Sequence, residues 1–108
     1  MIKRDGSRIV LSGPVTLASV AAVLAEGRPH FDEARRRQDE GVRTVDLAGV
    51  TEMDSALLAL LLEWVRIARH RERPLEIVNP PESLRTIARL YGVDGLLSGV
   101  EGAAAASR

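Results

Sequence analysis

Ile2 to Arg4 and Arg8 to Leu11 are short extended candidates on either side of Asp5-Gly6. That dipeptide favours the positive backbone angles of a tight hairpin turn, so the pattern predicts strand, turn, strand. After Ser12-Gly13-Pro14 the period changes. Leu17, Val20, Val23 and Leu24 recur close to every 3.6 residues behind Thr16, whose hydroxyl can cap a helix over roughly residues 17–26. Phe31 and Ala34 prolong this stripe past Pro29, which lacks an amide hydrogen, so a break or kink and a second helical piece to about Gln38 are expected.

Thr44 to Leu47 and Leu75 to Val78 read as two short apolar strands, each behind a Gly or Pro signal. Between them lies the most apolar helix, about Ala56 to His70, with Ser55 or Asp54 as its N-cap and Arg66, Arg69 and His70 suiting its negative C-terminal end. A last helix opens at Asn79-Pro80-Pro81-Glu82, where asparagine caps, Pro80 takes the first helical position and Glu82 completes a capping box; Gly92 stops it. Leu84, Ile87, Ala88 and Tyr91 form its inner stripe, with Arg85 and Arg89 on the wet side. Short apolar strands separated by helices require parallel pairing with helical crossovers, so the fold class is mixed α/β. Asp94 to Leu97 adds one turn, and Gly99 to Arg108 has few large apolar groups to hold it down, so a domain over 1–97 and a mobile tail over 98–108 are expected.

On a helical wheel, Glu63, Ala59, Arg66 and His70 define the wet side of the central helix, while Leu57, Leu61, Val65 and Ala68 centre on the opposite one. Leu60 and Ile67 fall on the outer half and Trp64 on the boundary. They are either scattered surface hydrophobes, which need no explanation, or a contiguous docking strip with Trp64 as hot spot. The sequence pattern leaves both open.

The chain has 108 residues, 45% apolar and 28% charged, enough for one core with a solvated outside. Fifteen basic residues balance fifteen acidic ones, which removes the electrostatic basis for binding nucleic acid. The arginines at 35, 36 and 37 are answered by Asp32, Glu33, Asp39 and Glu40 and read as a solvated face rather than a phosphate site. With no cysteine, a thiol nucleophile and cysteine-held metal are excluded. No cofactor motif is present. The longest apolar run, Ala56 to Leu62, is far short of the roughly 20 residues that cross a bilayer, and the first residues carry no signal-like run, so a cytoplasmic protein without membrane insertion is expected.

Candidate chemistry centres on Glu52-Met53-Asp54-Ser55-Ala56-Leu57, which sets a serine hydroxyl at a strand-to-helix turn. A nucleophilic serine needs a base within reach. His30 adjoins a proline, and His70 lies about 22 Å down the same helix by the helical rise. A phosphate-binding serine needs a glycine-rich loop, and the preceding residues are bulky or acidic. A phosphorylated serine at a helix start is the third option, because added charge alters both the cap and any docked surface.

Val45-Asp46-Leu47-Ala48-Gly49-Val50, then Met53-Asp54-Ser55-Ala56 and Leu58-Ala59-Leu60-Leu61-Leu62, resemble the STAS family, which includes anti-sigma factor antagonists. Ala88-Arg89-Leu90-Tyr91-Gly92-Val93 narrows the likeness to the MlaB branch, small STAS subunits of phospholipid ABC transporters. The resemblance covers about residues 8–97. It implies a single STAS domain, a small mixed sheet with an N-terminal hairpin and helices over one face. It also implies a binding role without catalysis or cofactor, on a cytoplasmic, MlaF-like ATPase subunit and through it a membrane permease. The protein would then lie peripheral to the inner membrane and support outer-membrane lipid asymmetry. Ser55 maps onto the family's key hydroxyl, the ATPase contact in transporter subunits and the phosphorylation site in signalling members. Leu57 stands where the motif usually carries glycine, adding bulk at the docking point. Together these readings assign partner binding to Thr16, Asp54, Ser55, Leu57, Leu60 and Trp64. The alternative is an anti-sigma factor antagonist switched by phosphate on Ser55.

Overall fold

The computed structural model describes residues 1–37, 41–70 and 75–96, with side chains for all of these except 32–37 and 96. The expected tail over 98–108 lies outside the described residues. Strand β1 (Ile2–Asp5) turns through Gly6 into β2 (Arg8–Val15) and pairs antiparallel with it. Gly6 has φ 62°, which glycine adopts without steric cost at the first central position of a two-residue hairpin loop. Helix α1 (Val20–Arg37) crosses to β3 (Thr44–Met53), and α2 (Ser55–His70) crosses to β4 (Glu76–Val78). Helix α3 (Glu82–Leu90) and a short 3-10 turn (Asp94–Leu96) follow. The sheet order is β1-β2-β3-β4, with β2, β3 and β4 parallel, so the expected mixed α/β sheet with its N-terminal hairpin is what forms.

Ile9, Leu11, Val15, Val45, Leu47 and Ile77 are buried on one sheet face, while Arg8, Val10, Thr44, Asp46, Glu76 and Val78 between them are not. The helices therefore cover a single face, with α2 touching both α1 and α3.

Both central strands run further than their composition suggests. Ser12-Gly13-Pro14 and Ala48-Gly49 look like strand breakers, yet Ser12 pairs with Gly49 and Gly13 with Val50 between two register shifts, and pairing resumes to Val15↔Met53. A Cβ on Gly49 would stand 2.8 Å from the Leu11 carbonyl oxygen, so glycine is what lets the two backbones approach there.

Helix α1 corrects the expectation of a break: it continues through Pro29. Proline removes the hydrogen bond to the carbonyl four residues earlier, that of Ala25, and both residues lie on the exposed side. Gly27 meets the core side, where an added Cβ would come within 2.5 Å of the Trp64 ring. The capping box expected for α3 is absent. Pro81 is its N-cap with no side-chain bond, and Asn79, at φ 54°, donates instead from Nδ2 to Asp46 Oδ1 at 3.0 Å. The Asn79 hydrogen bond outweighs partial burial and, with the Ala48 amide and Arg8, holds the Asp46 carboxyl below its ordinary pKa. The α3 stop is as expected. Val93 N–H reaches Ala88 O and Gly92 N–H reaches Arg89 O, with Gly92 at φ 68°, which is a Schellman motif. Tyr91 follows the last helical turn and is exposed rather than part of the inner stripe.

Candidate functional site

The carboxyl ends of β2 and β3 lie side by side, and each leads into a helix, β2 through a short loop and β3 through Asp54 alone, so the starts of α1 and α2 share one corner of the molecule. In the β2–α1 loop, Thr16 Oγ1 accepts from Ala18 N–H, and Ser19 Oγ accepts from Thr16 N–H at 3.0 Å. This reciprocal pair works as a capping box, and Thr16 O accepts from Val20 N–H at 2.8 Å to open the helix.

Of the two caps that the sequence leaves open for α2, the structure uses Asp54. Its Oδ1 accepts from Ala56 N–H at 2.8 Å, and its backbone oxygen accepts from Leu57 N–H. Its Oδ2 accepts from Leu17 N–H at 3.0 Å, so one carboxylate both caps α2 and ties down the loop before α1. Ser55 becomes the first residue of the helix. It is exposed, and its hydroxyl has no hydrogen-bond partner among the described residues. Beside it a groove of about 400 Å³ opens between the two helices. Leu17, Val20 and Leu24 form one wall, Ala56, Ala59 and Leu60 the other, and Asp54 and Ser55 supply its polar rim.

Thr16, Asp54 and Ser55 thus come together at the surface as expected. The apolar half of the expected docking set does not. Leu57, Leu60 and Trp64 are 0%, 1% and 1% exposed and belong to the core, so the strip read as a docking surface is corrected to interior packing. The reason is the position of α2. A helix at the edge of a layer buries one narrow stripe, whereas α2 has the sheet beneath it, α1 on one flank and α3 on the other. Trp64 packs against Phe31 of α1 with ring centroids 5.5 Å apart, over the gap that Gly27 leaves. Leu60 only touches the groove from below. Because Leu57 points inward, it adds no bulk around the Ser55 hydroxyl, which overturns that expectation as well.

What sequence reasoning missed is the α1 wall, above all Leu17, which is 80% exposed. Its place in the 3.6 period made it look like the first residue of an inner stripe; the signal against this was its position next to Thr16, before the helix proper.

Chemically, the corner offers one free hydroxyl, one committed carboxylate and an apolar cleft. No cluster of three or more potential metal-binding side chains occurs among the described residues. No described helix is long and apolar enough to cross a membrane.

The family described as "Mlab, STAS domain" matches residues 2–98. The chain belongs to the STAS family. Among solved structures, the anti-sigma factor antagonist SpoIIAA in its unphosphorylated form shares 19% identity with this STAS domain, at a TM-score of 0.60 over 82% of this chain and 80% of that one. A putative anti-sigma factor antagonist from Thermotoga maritima shares 16%, at a TM-score of 0.65 over 87% and 79% of the two chains. At these identities the likeness establishes a common fold. No curated protein matches this sequence.

Proposed function

We propose that this STAS domain is a non-catalytic subunit that docks on the cytoplasmic ATPase of a phospholipid-transporting ABC complex of the Mla type. It supports the assembly or activity of that complex, lies peripheral to the inner membrane through its partner, and so serves outer-membrane lipid asymmetry. The observation that carries this reading is the Ser55 corner: a hydroxyl left free because Asp54 does the capping, set beside an apolar groove. Such a corner suits a protein contact, since it presents apolar area next to a polar group that can pair across an interface. The match to the family described as "Mlab, STAS domain" supports the reading that this partner is a transporter ATPase.

The same free hydroxyl favours a second reading, an anti-sigma factor antagonist switched by phosphorylation of Ser55. Phosphate there would add about −1.5 to −2 charges next to Asp54, with no basic ion-pair partner for Asp54 among the described residues. Affinity capture from the native cell extract separates the two. Co-purification of an ATPase with its permease is the expected result; capture of a serine kinase, with phosphate on Ser55 by mass spectrometry, would replace the first reading with the second.

A further inference from the structure

Helix α3 ends in a way that packing does not explain. Leu84 and Ala88 form its inner face, both 0% exposed, and Arg85, Thr86 and Arg89 lie on its outer face in water. Leu90, beside them, and Tyr91, the C-cap, are 78% and 67% exposed. The helix dipole accounts for a cation in the last turn, but it gives no reason to set a leucine and a tyrosine next to each other in solvent. Neither residue lines the groove beside Ser55.

Charge is laid out to match. Arg85 and Arg89 have no ion-pair partner among the described residues, and no acidic residue occurs from Arg85 through Val93. The nearest acids along the chain are Asp94, in the 3-10 turn, and Glu82, at the other end of the helix and about 12 Å from Leu90 by the helical rise. By contrast, 12–27, 44–65 and 74–84, which include the Ser55 corner, hold no Lys, Arg or His, while Glu52, Asp54 and Glu82 fall within them. A net charge of zero therefore covers an uneven distribution, and the outer face of α3 is on its cationic side.

Exposed apolar side chains rimmed by unpaired cations are complementary to an anionic lipid–water interface. There a leucine reaches the acyl boundary, a tyrosine ring sits at headgroup level, and arginines pair with phosphates while their stems cover apolar surface. Side chains this exposed protrude, which suits a deformable surface, whereas an anchor in another protein needs a shaped pocket to fill. We propose that the outer face and C-terminal end of α3 rest on anionic phospholipid, with Leu90 and Tyr91 in the interface and Arg85 and Arg89 on the phosphates. Two cations and two inserted side chains give weak, reversible binding on their own. The proposal stands apart from the docking reading, since none of these four residues lines the Ser55 groove. A partner held at a membrane would strengthen the contact by raising the effective concentration of lipid.

The test is co-sedimentation of the purified full chain with vesicles of phosphatidylcholine alone, and of phosphatidylcholine and phosphatidylglycerol in equal parts, at low and high salt. The parent is expected to bind the anionic vesicles only, and to leave them at high salt. Leu90→Ser is expected to bind about fivefold more weakly or worse, and the double variant Arg85→Gln, Arg89→Gln about 30-fold more weakly. All three positions are exposed, so melting temperatures should stay close to the parent's. No binding of the parent to anionic vesicles at low salt overturns the proposal, and so does binding that both variants leave unchanged. Binding to poly-glutamate but not to vesicles would assign the face to an acidic polypeptide and overturn it as well. None of these results bears on the Ser55 corner, which the affinity capture above tests.

Discussion

Within one helix, Trp64 and Leu60 are sealed from water, while Ser55, about one and a half turns before Leu60, stands open to it. Both regions carry residues that looked functional in the sequence, and only one is open to solvent, as the proposed docking requires. The inner region is greasy because α2 is the middle helix of three and must satisfy neighbours on two flanks and below. The open corner is exposed because two parallel strands end together and deliver two helix starts to one place. Surplus hydrophobicity on a helix therefore reports the number of its neighbours before it reports a partner. An uncapped hydroxyl at a helix start, freed by the residue before it, is the more specific sign.

The sharpest way to break this contrast is Trp64→Ala. Truncating a buried tryptophan stacked near Phe31 is expected to cost about 3–5 kcal/mol, a large part of the roughly 5–15 kcal/mol that holds such a domain folded, as read by urea denaturation. A loss below about 1 kcal/mol would mean that the ring is not core. Gly27→Ala should follow. Its methyl group would collide with the Trp64 ring, and after the gain of about 1 kcal/mol in helix propensity a net loss of about 1–2 kcal/mol is expected. In a Trp64→Leu background the obstacle is gone, so the same substitution should become neutral or stabilising, and simple additivity of the two changes would refute the contact.

Next in size is Asp54→Ala, which removes the α2 cap and the tether to Leu17 together and should lower stability by about 1 kcal/mol. Asp46 supplies a pH signature away from both regions. Its folded pKa is depressed, so its contribution is present above the ordinary carboxylate value of about 3.9 and is lost as pH falls below that towards the folded value. Urea midpoints compared at about pH 6 and about pH 3 should fall less in Asp46→Asn than in the parent; an equal fall would remove Asp46 from the acid response. Smallest of all, Ser55→Ala should change stability by no more than about 0.5 kcal/mol, because its hydroxyl holds nothing in the fold.

Much of the architecture was legible in the sequence: the Asp5-Gly6 hairpin, the apolar period of α2, the Gly92 stop and the crossovers that force parallel strands. What misled was local chemistry overruled by partners distant in sequence. Ser12-Gly13-Pro14 and Ala48-Gly49 each end a strand when read alone, yet Ser12 pairs with Gly49 between two register shifts and both strands run on. Asn79 is a natural cap, but Asp46 takes its amide. At the site, Thr16, Asp54 and Ser55 were readable from turn and cap chemistry. The division of labour between Asp54 and Ser55 was not, since either residue can cap. Leu60 and Trp64 were misplaced because a helical wheel shows one helix and not what flanks it.

The most direct test of the docking corner is the affinity of Ser55→Glu for the ATPase subunit, measured by calorimetry, with blue-shifted emission of Trp64, the sole tryptophan, in the free variant verifying its fold. A carboxylate carried into an interface without a partner is expected to weaken binding at least about tenfold while the fold is unchanged. Affinity equal to that of the parent would place the contact elsewhere on the molecule and contradict the assignment of Ser55.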